Sequence, residues 1–232
     1  AYEEGMAAAL SLCKTARRHG VSRIVATPHI HFGQNPEQVS KIAAGVEELN
    51  SRLEERGLGV EVVSGAEVGF REDLGEFVFD HREIFIGDGD YLLVEPDFVA
   101  LPASAESVLS ELTAQGVSCI LAHPERVENL QADPGRIGGL VERGVFIQIT
   151  AAYLVGRGGR LMRRLCERWV KEGLVHFVAS DDHFDSGKME AMIPAWQALV
   201  KLDGQETAAR LMHGNPLAVV ENEPLPAGSS RP

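Results

Sequence analysis

Six residues able to bind a divalent cation, His29, Glu67, Glu95, His123, Asp181 and His183, each stand just past, or a few positions beyond, a short apolar run of the chain. The runs, residues 22–26, 60–64, 91–94, 117–122 and 175–180, have the length and β-branched content of buried strands. Glu67 to Glu95 and Glu95 to His123 each span 28 residues, close to the length of one strand-helix-strand unit. In a barrel of parallel strands the C-terminal ends converge on one face, so ligands placed after separate strands meet in one site. Imidazole with carboxylate suits manganese, iron, zinc or magnesium, whereas a thiolate-rich set would point to structural zinc or iron–sulfur. Such a set supports hydrolysis assisted by more than one metal ion.

The elements that must position these residues are legible in the punctuation. At His19-Gly20, Arg56-Gly57, Gln115-Gly116, Arg143-Gly144 and Glu172-Gly173 a helical segment closes on glycine and a β-branched strand begins within about three residues. Helical periodicity fills the intervals, as in Val108, Leu109 and Leu112, or Leu161, Leu165 and Trp169, whose faces are expected to cover the sheet. Strands alternating with helices imply a parallel sheet, and at least six strands with ligands on widely separated ones favour a closed or nearly closed barrel. At 232 residues, 44% hydrophobic and 24% charged, the chain suits one compact domain over residues 1–222, with a flexible Pro-, Gly- and Ser-rich tail over residues 223–232. A helical pattern over residues 2–18 opens the chain with no strand before it, so a first strand is expected to be missing.

Composition narrows the class of partner. A formal net charge of −12 argues against a broad nucleic-acid surface. No stretch approaches the roughly 18 apolar residues of a membrane span, and no basic leader precedes the fold, so no membrane insertion and a cytoplasmic location are expected. Cys13, Cys119 and Cys166 are an odd number without paired spacing and are expected as buried free thiols. A cysteine phosphatase needs Cys-x5-Arg, but Cys119 and Arg126 have six residues between them, and Cys13 and Cys166 have no arginine at the required position.

Each candidate has an ordinary alternative. Pro28 in Thr27-Pro28-His29 is expected to stop strand pairing and aim His29, whereas the nearby His31 reads as structural. Glu67 and Glu95 could be solvated strand-end carboxylates, but a shared metal offers both a partner in a dry site. Arg126 in His123-Pro124-Glu125-Arg126 could pair with Glu125 or Glu128; beside a ligand it would instead grip a phosphoryl oxygen. Asp181 and His183 leave one strand end together, with Asp182 behind them or in solvent, and His176 within that strand reads as an interior histidine.

These blocks resemble the polymerase and histidinol phosphatase (PHP) superfamily, and within it the bacterial manganese-dependent tyrosine phosphatases of capsule and exopolysaccharide loci. The resemblance spans nearly the whole chain: Ala26-Thr-Pro-His29, Gly65-Ala-Glu67, Tyr91-Leu-Leu-Val-Glu95, Ala122-His-Pro-Glu-Arg126, Gln148-Ile-Thr-Ala, Gly156-Arg-Gly-Gly159 and His176-Phe-Val-Ala-Ser-Asp-Asp-His183 stand in the family's order. It implies a distorted (β/α)7 TIM-like barrel and up to three ions, Mn2+ first, with Fe, Zn or Mg as alternatives. His29, Glu67, Glu95, His123, Asp181 and His183 match ligand positions and Arg126 a phosphate-binding arginine. The implied substrate is phosphotyrosine on the tail of a tyrosine autokinase, and homo-oligomers are known in the family.

The chain departs from the family in three places. The family opens with a His-x-His strand and a downstream aspartate, all metal ligands, and this chain begins just after where they would lie. Lys188 stands where a second phosphate-binding arginine is common, keeping charge but losing the planar fork. Glu95-Pro96-Asp97-Phe98 replaces the commoner Glu-Phe-Pro-Phe. The expected reaction is in-line attack of a metal-activated water on a phosphomonoester, with Arg126 and Lys188 on the non-bridging oxygens and His183 either a ligand or a proton donor to the leaving group. A histidinol-phosphate phosphatase, a nucleotide-directed phosphoesterase and a non-catalytic metal-binding or kinase-docking module remain open alternatives.

Overall fold

The computed structural model describes residues 2–30, 36–183 and 187–225. His31 and residues 226–232 of the expected tail lie outside the described residues. The first helix, α1 (Tyr2–Arg18), leads into β1 (Arg23–Ala26) and β2 (His29–Ile30), then α2 (Pro36–Glu55), β3 (Glu61–Ser64) and β4 (Glu67–Gly69). There follow α3 (Leu74–Asp80), β5 (Tyr91–Glu95), α4 (Ser104–Ala114), β6 (Ser118–Ala122), α5 (Glu128–Ala132), α6 (Arg136–Glu142) and β7 (Phe146–Thr150). The chain ends in α7 (Ala151–Leu154), α8 (Arg160–Lys171), β8 (Phe177–Ala179), α9 (Met192–Asp203), α10 (Gln205–Ala209) and α11 (Asn215–Val220).

Every observed strand pairing is parallel. β1 pairs with β3, and the other six lie in the order β2-β4-β5-β6-β7-β8. The α/β fold is that of a distorted barrel. The five helix-closing glycines all take the left-handed conformation, with φ from 61° at Gly57 to 90° at Gly116. A side chain there would be strained, which is why glycine marks these junctions.

Pro28 does not end strand pairing as expected. The ladder between β1 and β3 breaks because proline offers no N–H, but the Pro28 carbonyl accepts the Glu67 N–H at 3.1 Å and pairing resumes with His29 opposite Glu67. His29 and Glu67 thus belong to the sheet and are held in register side by side.

The two-residue alternation along each strand separates two cores. Tyr91, Leu93, Ile120, Phe146 and Phe177 form an interior cluster, closed by Ile86, Val219 and Leu225, whereas Leu92, Val94, Cys119, Leu121, Ile147, Ile149 and Val178 pack under the helices around Trp169. A smaller cluster joins Met6, Leu10 and Cys13 of α1 to Leu49 and Leu53 of α2 over Val60 and Val62. Val108, Leu109, Leu112, Leu165 and Trp169 pack inward as expected, but Leu161 does not: it is 73% exposed. It sits in the first turn of α8, and burial begins only one turn on, at Leu165. All three cysteines are buried and free.

His176 is an interior histidine. Its Nδ1 accepts the Ile147 N–H at 3.1 Å, its carbonyl accepts from Asn215 Nδ2, and its ring meets Phe146 edge-on at 5.1 Å. Burial, with the charge of Arg210 second, lowers its pKa from 6.5 to about 4. The unfolded chain therefore takes up this proton first. The contribution is complete above about pH 6.5 and is lost as pH falls toward 4, amounting to about 3 kcal/mol at full protonation. In urea titrations, His176→Asn, which keeps an acceptor near the Nδ1 position, should flatten the fall in stability between pH 6.5 and 4; an unchanged slope would assign it to other groups.

Candidate metal centre

Interior parity delivers most of the site. Tyr91 and Leu93 point inward, so Glu95 does too; Phe177 and Ala179 point inward, and Asp181 follows two residues on. Ile30 and Val68 belong to the outer core, which leaves their neighbours His29 and Glu67 on the inner face. His123 breaks the pattern, since Cys119 and Leu121 face outward. Its backbone turns left-handed directly after β6, with φ 32° and ψ 50°, and the imidazole swings inward to lie 2.8 Å from Glu67. Asp181 also has positive φ, 49°. A non-glycine residue in this region costs about 1–2 kcal/mol, and such strain concentrates at functional sites.

The result is two ligand groups sharing one carboxylate. Donor atoms of His29, Glu67 and Glu95 lie within 4.8 Å of one another, as do those of Glu67, His123 and Asp181. His29 Nε2 is 3.8 Å from Glu67 Oε2 and 3.7 Å from Glu95 Oε1, and His123 Nε2 is 3.6 Å from the same Glu95 oxygen. Glu67, Glu95 and His123 are all buried. Burial alone would disfavour an imidazolium at His123, but the bonded Glu67 carboxylate, with Glu125 and Asp181 behind it, raises its pKa above the ordinary imidazole value. A buried carboxylate pair held against two imidazoles is the donor chemistry of a borderline divalent cation, so the residues fit a metal cofactor.

His183 lies at the edge of this set rather than within either group. Its ring centroid is 5.1 Å from that of His29, and Nδ1 is 3.1 Å from the Asp181 carbonyl and 3.7 Å from its Oδ1. Two cations converge on Asp181: Lys188 Nζ at 2.7 Å and Arg126 Nη1 at 3.9 Å. Arg126 is not paired with Glu125, which is turned into the interior, and its guanidinium instead lies 3.9 Å from the Phe98 ring centroid. Asp182 accepts the Met189 N–H at 2.8 Å, which ties the turn carrying Lys188 to the end of β8.

His29, Glu95, Phe98, Arg126, His183 and Lys188 line a cleft of about 370 Å³. A larger depression, about 760 Å³, lies at the opposite ends of β1 and β3, around Arg23, Asn50, Glu54 and Glu61; it gathers no histidine and neither ligand group. No cysteine approaches a nucleophile's state, since burial pushes the Cys119 thiol up to about 12 and raises Cys166 further.

The family model for "Capsular polysaccharide synthesis, CpsB/CapC" matches residues 3–221. The chain belongs to the CpsB/CapC family. Among curated relatives, tyrosine-protein phosphatase YwqE of Bacillus subtilis (strain 168) is 30% identical over 174 residues, 75% of this chain and 68% of that protein. Tyrosine-protein phosphatase CpsB of Streptococcus pneumoniae is 24% identical over 218 residues, 92% of this chain and 90% of that one. A solved structure from work on YwqE of Bacillus subtilis and CpsB of Streptococcus pneumoniae, described as unique metal-dependent tyrosine phosphatases, superimposes with a TM-score of 0.87 at 27% identity, covering 98% of this chain and 92% of that one.

One residue of this CpsB/CapC site escaped the sequence reading. Glu125 is fully buried; its Oε1 accepts the Thr150 N–H at 2.7 Å, and its carbonyl accepts from Gln131 at 2.8 Å. It pins the turn between His123 and Arg126 to the end of β7. Burial raises its pKa, with the Thr150 N–H as the main opposing effect. The only signal was a charged residue immediately after a strand-end proline. Glu125→Ala leaves the buried Thr150 N–H without a partner and should destabilise by about 1–3 kcal/mol in denaturant titration. Glu125→Gln, which keeps an acceptor oxygen, should lose less than half of that.

Proposed function

We propose that this chain is a metal-dependent protein-tyrosine phosphatase of a capsule or exopolysaccharide locus, acting on the phosphorylated tail of a tyrosine autokinase. The observation that carries the reading is the placement of Arg126 and Lys188 around a cleft walled by His29, Glu95 and His183. It sets a cation-binding acid–imidazole group beside two side-chain cations that both lie against Asp181 and face the cleft. The family match and the names of the relatives support phosphotyrosine over histidinol phosphate or a nucleotide.

His29, Glu67, Glu95, His123 and Asp181, with His183 at the rim, would hold the metal, Mn2+ first and up to three ions. Bound divalent cations supply Lewis-acid charge that activates water and neutralises a phosphoryl group. Arg126 presents its planar fork to two non-bridging oxygens, and Phe98 beneath it limits the fork's rotation. Lys188 turns from Asp181 toward the phosphate as a point charge. As the alternative to holding a metal, His183, at the mouth and about half exposed, would deliver a proton to the departing phenolate oxygen. The exposed face of Phe98 offers an apolar wall to an aryl ester.

The test is hydrolysis of a phosphotyrosyl peptide with added manganese, in this chain and in a form with a His-x-His strand supplied upstream. Activity abolished by chelation and restored by manganese is expected; loaded protein that hydrolyses no phosphotyrosyl substrate in either form would overturn the reading. Arg126→Ala should lower turnover about 10²-fold with metal content retained, since one electrostatic donor is removed. Metal loss in step with activity would instead make Arg126 part of the cation site. Phe98→Ala should raise KM for an aryl phosphate more than for an alkyl phosphate, and an equal change in both would assign the ring to fold support alone.

A further inference from the structure

Helix α8 carries five cations, Arg160, Arg163, Arg164, Arg168 and Lys171, against one carboxylate, Glu167, in a chain of formal net charge −12. Arg160, Arg164 and Arg168 recur every four residues, lie along one helical stripe and are exposed. Arg163 and Arg168 pair with Glu167 and Glu172 one turn on, but among the described residues Arg160 and Arg164 have no carboxylate partner. Leu161 stands in the same turn with 73% of its surface exposed. One contact links the start of the stripe to the segment that lines the cleft, and its arginine, Arg157, also lies 3.7 Å from the Glu190 carboxylate. Arg157, in the turn before α8, donates to the Gly187 carbonyl at 2.7 Å, and Gly187 precedes Lys188, whose ammonium lines the cleft.

We propose that Arg157, Arg160 and Arg164, with Leu161, form a docking track for the acidic flank of a polypeptide whose phosphorylated residue enters the cleft. This rests on the phosphatase reading above. A protein of this net charge repels an acidic polypeptide at long range, so productive capture needs a local patch of opposite sign beside the site. Arginine forks match side-chain carboxylates two bonds at a time, and the exposed leucine adds the apolar contact that a purely solvating surface would not supply.

The experiment measures binding by fluorescence anisotropy to the metal-loaded full chain. The probes are two labelled peptides bearing a non-hydrolysable phosphonate analogue of phosphotyrosine, one with glutamate-rich flanks and one with neutral flanks. The protein is compared with its Arg160→Glu/Arg164→Glu variant. Reversal of two unpaired surface charges should weaken the acidic peptide about tenfold at low salt. Binding of the neutral peptide, and kcat and KM for 4-nitrophenyl phosphate, should stay unchanged. Added salt should weaken the acidic peptide in the parent protein and hardly at all in the variant. Equal affinity of the two proteins for the acidic peptide overturns the proposal, as does light scattering in which the variant loses a self-association that the parent shows. Selective binding of the acidic peptide without turnover of any phosphomonoester would leave the docking track standing and remove the phosphatase reading.

Discussion

Two buried carboxylates and two imidazoles within hydrogen-bond or ion-pair distance of one another set the terms for the rest of the molecule. Glu67 and Glu95 share His29 and His123, and Glu67 reaches both rings. Like charges in a dry interior repel, and only compensating positive charge makes the arrangement tolerable. Lys188 and Arg126 compensate Asp181, but Glu67 and Glu95 face only imidazoles, and divalent charge would balance them. The barrel supplies the geometry, since parallel strands with inward-facing residues of the same parity carry their last polar side chains to one mouth.

That dependence explains which parts of the molecule could be read from the sequence. Strand runs, helix-closing glycines and the parallel order follow from local rules, and Glu95 and Asp181 follow from alternation along β5 and toward the end of β8. His29 and Glu67 were legible as candidate ligands but not as strand residues, because proline in the β1–β2 break hides the fact that its carbonyl still accepts a ladder bond. His123 was found by residue type and spacing; alternation alone would have turned it outward. Its left-handed φ has no sequence mark, because the residue is not glycine. Leu161 was misplaced for a related reason: helical periodicity reports which residues share a face but not how far along the helix that face is covered.

Glu125 shows how the strained turn is kept. The chain between His123 and Arg126 must hold an unfavourable backbone angle, an inward imidazole and an outward guanidinium within four residues. An acid driven wholly into the interior, bonded to the backbone of the next strand, fixes the turn from behind. This arrangement ties the candidate ligand His123 and Arg126 to the same anchor, so movement of β7 against β6 would shift both together. It also accounts for the contrast between neighbours, since Glu125 is a buried anchor and Arg126 stands free enough to stack on Phe98.

Charge is distributed on two length scales. Within the cleft, Arg126 and Lys188 lie against Asp181, so the positive groups are held near a carboxylate. On the proposed reading, a phosphoryl dianion would compete with that carboxylate for both cations, and divalent cations held by Asp181 would tip the competition toward the phosphate. Metal and phosphoryl binding would then be favourably coupled through one residue, because each would relieve the charge that the other leaves exposed. Farther out, the acidic surface and the basic stripe of α8 act over about a Debye length, which at physiological ionic strength is about 8 Å. At that range the acidic body discourages anions broadly while α8 admits those that approach along it. Short-range chemistry and longer-range selection thus use opposite local balances of the same few residue types.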